Sequence, residues 1–319
     1  IKQHHLYISA SIGVSLIEAA DNNAVEIIKE ADIAMYEVKE KGRDGVFLYN
    51  EDMSQRVEYN LRMEQLLHFA EDRKQISLAY QPQIDSDNKI SGVEVLARWK
   101  CDELGGVSAT EFIPVAERTG LIIELGRHII ESAFITLADW KGKEINVPQI
   151  PINISMRQFM HYNFVNDVSE LCEQYLDKNT ISKVVFEITE SVVAEDVNRV
   201  VEIIKSIKKL GIRFSMDDFG TGYSSLSYIR QLPIDESKID RHCVRDLSLD
   251  ASADERISTI LHMAKIFILA VVAEGVETEQ QKDFLLTHDC NIFQGYLFSK
   301  PVSKNEFEEF YFDRNNKDI

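Results

Sequence analysis

The chain has 319 residues, 45% hydrophobic and 28% charged, a balance typical of a soluble globular protein with space for one barrel-sized domain and a fragment. Its formal net charge of −18 disfavours binding to long nucleic acids and to anionic membranes, although a small anion can still bind through cations. The four cysteines are widely separated and form no Cys-x-x-Cys pair, which argues against a cysteine zinc site and indicates a reduced, cytosolic protein.

The first fifty residues predict a strand, a helix and a second short strand. Residues 6–18 alternate as a strand does, residues 22–42 carry a helical apolar stripe, and residues 45–49 form a short apolar run. Three such elements cannot close a core alone, so segment 1–50 is predicted to be a small α/β fragment of a domain. Residues 51–76 predict one charged helix that links this fragment to the main domain.

From residue 77 onwards, short apolar runs alternate with longer amphipathic stretches. The predicted strands are 77–84, 92–99, 149–155, 183–189, 211–218, 236–240, 270–277 and 291–298. Helices are predicted between most of them, at 124–140, 195–210, 253–267 and 278–287. This pattern favours a (β/α)8 barrel of the TIM type over residues 77–312, followed by a tail at 313–319. A doubly wound open sheet is the alternative.

Polar side chains recur near the carboxyl ends of these apolar runs. They are Glu94, Asn153, Glu187, Glu190, Asp217, Asp218, Lys238, Glu274, Glu277 and Gln294. Acids on several different strands indicate one shared site, because a barrel builds its active site at that end. Hard oxygen donors without a His at metal spacing favour Mg²⁺ or Mn²⁺ over Zn²⁺. Several carboxylates in one pocket predict two ions, the arrangement used for displacement at phosphorus.

A series of motifs runs through residues 77–302: YQPQI, EVLARW, INISMRQF, FEITES, MDDFGTGYSSLSYIRQLP, SKIDRHCV, VVAEGVET and QGYLFSKP. In content and order they resemble the EAL domain, the cyclic-di-GMP phosphodiesterase of bacteria. The segments ISASIGVSL and ADIAMYEVKEKGRDGVFLY resemble the C-terminal end of a GGDEF (diguanylate cyclase) domain, without the part that carries its signature. The resemblance implies a tandem GGDEF–EAL parent protein, and this chain is not interpreted as a cyclase.

The resemblance also implies a barrel whose first strand is antiparallel to the others, and hydrolysis of cyclic-di-GMP to linear pGpG. It assigns Glu94, Asn153, Glu187 and Asp217 as ligands of one of two Mg²⁺ or Mn²⁺ ions. Asp217 would bridge to a second ion shared with Asp218, and Glu274 would hold the site or its waters.

Further roles follow from the same resemblance. Lys238 matches the family's catalytic lysine, and Gln294 would hydrogen-bond the attacking water or the ligand. Whether Lys238 or Glu274 is the general base stays open. Arg98 would contact a ligand phosphate, for which its forked donors are suited. Gln81 and Leu96 would lie against the guanine or the ribose.

Regulation and assembly are implied as well. Glu190 would fix the loop 219–225, which the family uses in dimer contacts and in control of activity, and Glu277 is placed in the same regulatory set. The expected partners are therefore cyclic-di-GMP and a second copy of the chain, with no nucleic acid polymer and no membrane contact from this segment. A non-catalytic cyclic-di-GMP receptor and a scaffold are the alternative functions.

Two positions depart from the family pattern. Val95 replaces the usual alanine of the signature triplet, and little effect is expected because it points away from Glu94. Phe267 and Ile268 replace the usual Leu-Gly before VVAEGVET. Isoleucine is not expected to copy a glycine of positive φ, so a changed helix-to-strand connection is predicted there.

Overall fold

The structure is a computed structural model that describes residues 9–17, 23–40, 42–191, 196–219, 230–247 and 251–315. The chain divides into two compact units, Ile1–Phe69 and Ala70–Ile319. No helix within the described residues is long and apolar enough to cross a membrane.

The smaller unit contains two strands and two helices. They are β1 (Ser11–Val14), α1 (Ala24–Glu40), β2 (Gly45–Leu48) and α2 (Glu51–Leu67), with β1 and β2 paired in parallel. Its core joins Ile33 and Ala34 of α1 to Met53 of α2, so the second helix supplies packing that the first three elements lack. Helix α2 ends at Leu67 and is shorter than the helix predicted over 51–76.

Eight strands of the larger unit close into a barrel. They are β3 (Ile76–Asp85), β4 (Ile90–Cys101), β6 (Ile150–Asn153), β7 (Val184–Thr189), β8 (Arg213–Asp217), β9 (Glu236–Ile239), β10 (Ala270–Ala273) and β11 (Ile292–Phe293). From β4 to β11 the neighbouring barrel strands are parallel, whereas β3 is antiparallel to both β4 and β11 and closes the barrel. The predicted barrel with an antiparallel first strand is confirmed, and the open-sheet alternative is wrong.

Helices surround this barrel. They are α3 (Ala109–Thr119), α4 (Ile122–Gly142), α5 (Met156–Phe159), α6 (Phe164–Tyr175), α7 (Lys178–Ile181), α8 (Val197–Leu210), α9 (Arg241–Arg245), α10 (Ala251–Ile266), α11 (Glu279–Thr287) and α12 (Lys304–Asn315). The four predicted helices correspond to α4, α8, α10 and α11. The short strand β5 (Gly105–Val107), which pairs with β4 outside the barrel, was not predicted.

The hydrophobic core lies between the strands and the helices. Phe214 of β8 packs with Phe159 and Phe186 at ring-centroid distances of 6.2 and 6.0 Å, and Phe164 of α6 packs on Phe186 at 6.0 Å. The outward faces of the strands are therefore apolar, which leaves their inward faces free to carry polar side chains.

The last two barrel strands are much shorter than predicted. Strand β10 ends at Ala273 rather than at residue 277, and β11 holds only Ile292 and Phe293. Gly275 has a φ of 66°, and a Cβ there would lie 2.5 Å from the Cβ of Arg241. The chain therefore leaves the extended conformation directly after Glu274. The direction of the Glu274 side chain is then no longer set by the in–out alternation of a strand.

The expected change at Phe267–Ile268 is wrong. Ile268 adopts a φ of 59°, the left-handed conformation that a glycine would take. The N–H of Ile268 donates to the carbonyl of Lys265 at 3.2 Å and that of Leu269 to Ala264 at 3.0 Å, which is the Schellman pattern at the end of α10. The hydrogen bonds of the helix end impose this left-handed geometry on the isoleucine.

Candidate active site

A cleft of about 560 Å³ opens at the carboxyl ends of the barrel strands. The predicted site residues that line it are Gln81, Glu94, Leu96, Arg98, Asn153, Asp217, Glu274, Glu277 and Gln294. Its size lies in the range of small-molecule sites. The closed barrel thus brings together residues that are as much as 213 positions apart, as in the hydrogen bond between Gln81 and Gln294.

The buried ammonium of Lys238 lies beneath the cleft among three glutamates. Its Nζ is 2.5 Å from Glu274 Oε1, 2.9 Å from Glu187 Oε1 and 3.3 Å from Glu94 Oε2. Lys238 is 0% exposed and Glu187 is 1% exposed, so this charge cluster is removed from water. Lys238 reaches this position because β9 lies between β8 and β10 and presents it to the barrel interior.

Burial and mutual repulsion disturb the titration of these groups. Burial raises the pKa of Glu187 well above its ordinary value, despite the opposing effect of Lys238. Burial also raises the pKa of Glu274 to about 7, with Lys238 opposing it and Glu94 adding to it. For Lys238, burial lowers the pKa, but the surrounding carboxylates outweigh it and hold the pKa well above its usual range. The lysine is therefore a stable cation in this arrangement.

Glu94 is fixed by two neutral donors in addition to Lys238. Asn153 Nδ2 donates to Glu94 Oε1 at 2.7 Å, and Gln294 Nε2 donates to Glu94 Oε2. Although burial opposes it, the charge of Lys238 and these donors lower the pKa of Glu94. Glu94 is therefore the glutamate of this cluster that the protein holds ionised.

The paired acids stand where β8 ends. Asp217 is the last residue of the strand, and Asp218 has a φ of 58°, so the backbone leaves the extended conformation between them. The Asp218 N–H donates to Asp217 Oδ1 at 2.9 Å. Burial, followed by the charges of Asp217 and Asp240, raises the pKa of Asp218. Most of the predicted regulatory loop 219–225 lies outside the described residues, and Glu190 is buried directly after β7.

The donor set fits divalent cations in its chemistry. Glu94, Glu187, Asp217 and Glu274 all act electrostatically on Lys238, so four carboxylates less one ammonium leave a formal charge of −3 when all are ionised. Among the described residues, Lys238 is the cation that contacts Glu187, at 2.9 Å from its Oε1. As these described side chains stand, no group of three or more His, Cys, Asp or Glu is arranged around a metal position.

Several residues of the site were not predicted. Asp240 and Arg241, which directly follow β9, and Tyr296, which follows Gln294, also line the cleft. Each belongs to the motif SKIDRHCV or QGYLFSKP, so its proximity to a predicted site residue is the signal in the sequence that points to it. Gln83 and Gln149 lie deeper in the barrel, and their contacts depend on strand register, for which the sequence gives no local signal.

A closed barrel with a buried carboxylate cluster at the floor of its cleft defines an α/β-barrel protein with an acidic, oxygen-donor site. Residues 63–301 match the family described as EAL domain, and residues 1–45 match the family described as Diguanylate cyclase, GGDEF domain. The chain belongs to the EAL domain family and carries a GGDEF segment at its start, as predicted. EAL phosphodiesterases generally depend on divalent metal ions.

Two curated relatives match almost the whole of this chain. The chain is 35% identical over 304 residues to the bifunctional diguanylate cyclase/cyclic di-GMP phosphodiesterase MucR of Pseudomonas aeruginosa, covering 95% of this chain and 44% of MucR. It is 34% identical to the cyclic di-GMP phosphodiesterase PdeR of Escherichia coli, covering 96% of this chain and 46% of PdeR. The chain therefore spans less than half the length of these curated relatives.

Solved structures agree with the barrel. The structure of the MucR phosphodiesterase in complex with c-di-GMP superposes with a TM-score of 0.73 at 34% identity, covering 77% of this chain and 99% of that one. The EAL enzyme Bd1971 with cAMP and cyclic-di-GMP bound gives a TM-score of 0.75 at 29% identity, covering 92% of this chain and 77% of that one.

Proposed function

We propose that the barrel hydrolyses one phosphodiester of cyclic-di-GMP and releases linear pGpG. The observation that carries the proposal is the group of buried carboxylates around Lys238 at the floor of an open cleft. Water would form a new bond to phosphorus, and the bond from phosphorus to the ribose 3′ oxygen would break. The relatives' printed activities and the c-di-GMP complex of the MucR domain support the choice of substrate.

The proposed cofactor is a pair of Mg²⁺ or Mn²⁺ ions. Glu94, Asn153, Glu187 and Asp217 would hold one, Asp217 and Asp218 would share the second, and Glu274 would complete the site. When bound, such ions neutralise the charge of the phosphodiester and activate water for attack. The support from this chain is chemical: hard oxygen donors outnumber the Lys238 ammonium that lies among them.

Lys238 is proposed to act as a cation rather than as a base. Its ammonium is held by three carboxylates, and it lies directly below the residues that line the cleft. A fixed positive charge there would orient the attacking water or stabilise charge on the phosphoryl oxygens. The proton of the water would then pass to a carboxylate, and Glu274 is the glutamate of this cluster with the most exposed side chain, at 20%.

The rim of the cleft supplies groups that match the ligand. Arg98 and Arg241 place two guanidinium groups beside an otherwise acidic site, where they can pair with phosphate. The ring of Tyr296 lines the cleft and is 58% exposed, which suits stacking against guanine. Gln81 and Leu96 line the same wall and are proposed to contact the base or the ribose.

A turnover assay tests the proposal. Purified protein with cyclic-di-GMP should release pGpG in Mg²⁺ or Mn²⁺ and none in EDTA. Glu94→Ala and Asp217→Ala should each lower kcat more than about 100-fold, beyond the usual effect of residues that only orient ligands. Glu308→Gln is the matched control, because this carboxylate pairs with Trp140 and Lys143 away from the cleft. Tight binding of cyclic-di-GMP without pGpG would indicate a receptor instead.

Assembly and location are proposed in the same way. A homodimer formed through the barrel is the proposed state, and sedimentation with and without cyclic-di-GMP would measure it. A cytoplasmic location is proposed from the four separated cysteines, all of which are buried and free.

A further inference from the structure

A chain of three buried glutamine side chains runs through the barrel interior toward the site. Gln149, Gln83 and Gln294 come from the start of β6, from β3 and from the end of β11, and they are 5%, 0% and 4% exposed. Barrel interiors are usually filled by branched apolar side chains, so three consecutive buried amides in this position are unusual. None of the roles proposed for the site uses Gln83 or Gln149.

The amides form one continuous series of hydrogen bonds. Gln149 Nε2 donates to Gln83 Oε1 at 3.1 Å, and Gln83 Nε2 donates to Gln294 Oε1 at 2.9 Å. Gln294 Nε2 then donates to Gln81 Oε1 at 3.1 Å and to Glu94 Oε2. Every link runs in the same sense, from nitrogen to oxygen toward the site.

An arginine and a glutamate at the opposite end of the barrel set this direction. Arg213, the first residue of β8, donates to Gln149 Oε1 at 3.2 Å, and a guanidinium can only donate. Glu236, the first residue of β9, accepts from Gln149 Nε2 at 3.1 Å. These partners permit only one orientation of the Gln149 amide, which then determines the orientation of Gln83 and, through it, of Gln294.

A glycine provides the space for the central contact. Gly92 of β4 is the register partner of Gln83, and a Cβ at this position would lie 2.4 Å from Gln83 Oε1 and 2.6 Å from Gln149 Cγ. The meeting point of the two glutamines therefore requires the absence of a side chain on the neighbouring strand.

We propose that Gln83 and Gln149 are positioning residues that hold the Gln294 amide with its NH₂ group toward Glu94 and Gln81. Glu94 favours the same orientation of the Gln294 amide from the side of the cleft, but only while the Glu94 oxygens are free to accept a hydrogen bond from it. Gln83 occupies the oxygen of Gln294 whatever Glu94 binds. The catalytic consequence rests on the proposed function, whereas the orientation of Gln294 does not.

The experiment compares Gln83→Met and Gln149→Met with wild type. Methionine is similar in size and cannot replace either amide bond. Gln75→Met is the matched control, because Gln75 is also a buried glutamine, bonded to Asp102 and Trp99 away from the cleft. Three readouts are taken: kcat and KM with cyclic-di-GMP and Mg²⁺, the melting temperature, and hydrogen exchange of the Gln294 side-chain amide in ¹⁵N-glutamine-labelled protein.

Gln83→Met and Gln149→Met should lower kcat by about 10- to 100-fold with little change in KM, the range seen for residues that orient a ligand. The Gln294 amide should exchange at least tenfold faster in both. Gln75→Met should lower the melting temperature and leave kcat and the exchange rate unchanged.

The proposal would be overturned if Gln83→Met and Gln149→Met both had a lower melting temperature but unchanged kcat and unchanged hydrogen exchange of the Gln294 amide. If wild type produces no pGpG, the proposed function fails, but the exchange rates still decide the orientation of Gln294. If Gln83→Met does not fold, Gln149→Met decides, since Gln149 reaches Gln294 only through Gln83.

Discussion

Replacing Ile268 by glycine should stabilise the protein. Ile268 holds a φ of 59° at the end of α10, and its side chain is 90% exposed. The left-handed conformation costs about 1–2 kcal/mol for a residue with a Cβ, and a β-branched side chain is among the least tolerant. The exposed side chain offers almost no burial to offset this strain. Glycine adopts the conformation freely but loses roughly 0.5–1 kcal/mol through the greater entropy of its unfolded chain.

The net expectation for Ile268→Gly is a gain of about 1 kcal/mol, or roughly 2–4 °C in melting temperature. Differential scanning calorimetry measures it. Ile266→Gly is the matched control, because Ile266 is a 63% exposed residue within the last turn of α10. It should lose up to about 1 kcal/mol, as glycine does in a helix. Equal or lower stability of Ile268→Gly would refute the assignment of strain to this residue.

Three further predictions concern the site. Lys238→Met should lose about 3–5 kcal/mol of stability in EDTA, because it leaves buried glutamates without a counter-charge, and Mg²⁺ should restore much of that loss. Tyr296→Ala should raise KM for cyclic-di-GMP about tenfold or more with little change in kcat, since one stacked base contributes about 1–3 kcal/mol. In EDTA, the stability of wild type relative to Glu274→Gln should fall as the pH rises from about 4.5 to about 7, because the folded protein binds the Glu274 proton more tightly than the unfolded chain. By pH 7, the stability of wild type relative to Glu274→Gln should have fallen by about 3 kcal/mol.

A specific result would contradict each of the three predictions for Lys238, Tyr296 and Glu274. If Mg²⁺ stabilises wild type and Lys238→Met equally, Lys238 does not interact with a bound cation. Tyr162, which is 85% exposed and does not line the cleft, gives the control Tyr162→Ala, and an equal change of KM there would remove the stacking role of Tyr296. A stability difference that is flat or rises with pH would mean that Glu274 is ionised in the folded protein throughout.

Much of the barrel could be predicted because its signals are local. Alternating runs ending in acids, such as FEIT with Glu187, identify strands and the end at which they carry polar groups. Strand ends were less well predicted where a single backbone angle decides them. Gly275 ends the extended conformation after β10, and Ile268 takes a left-handed φ that its residue type disfavours, because the helix-end hydrogen bonds require it.

The sequence by itself determined the family, the eight strands and the residue types at the cleft, because motifs and periodicity are properties of neighbouring residues. Only the tertiary structure decided that the Lys238 ammonium lies among Glu94, Glu187 and Glu274. It alone also joined Gln149, Gln83 and Gln294 into one directed series. Both arrangements depend on the register and closure of strands far apart in the chain, and burial there converts side chains that are ordinary in water into strongly interacting groups.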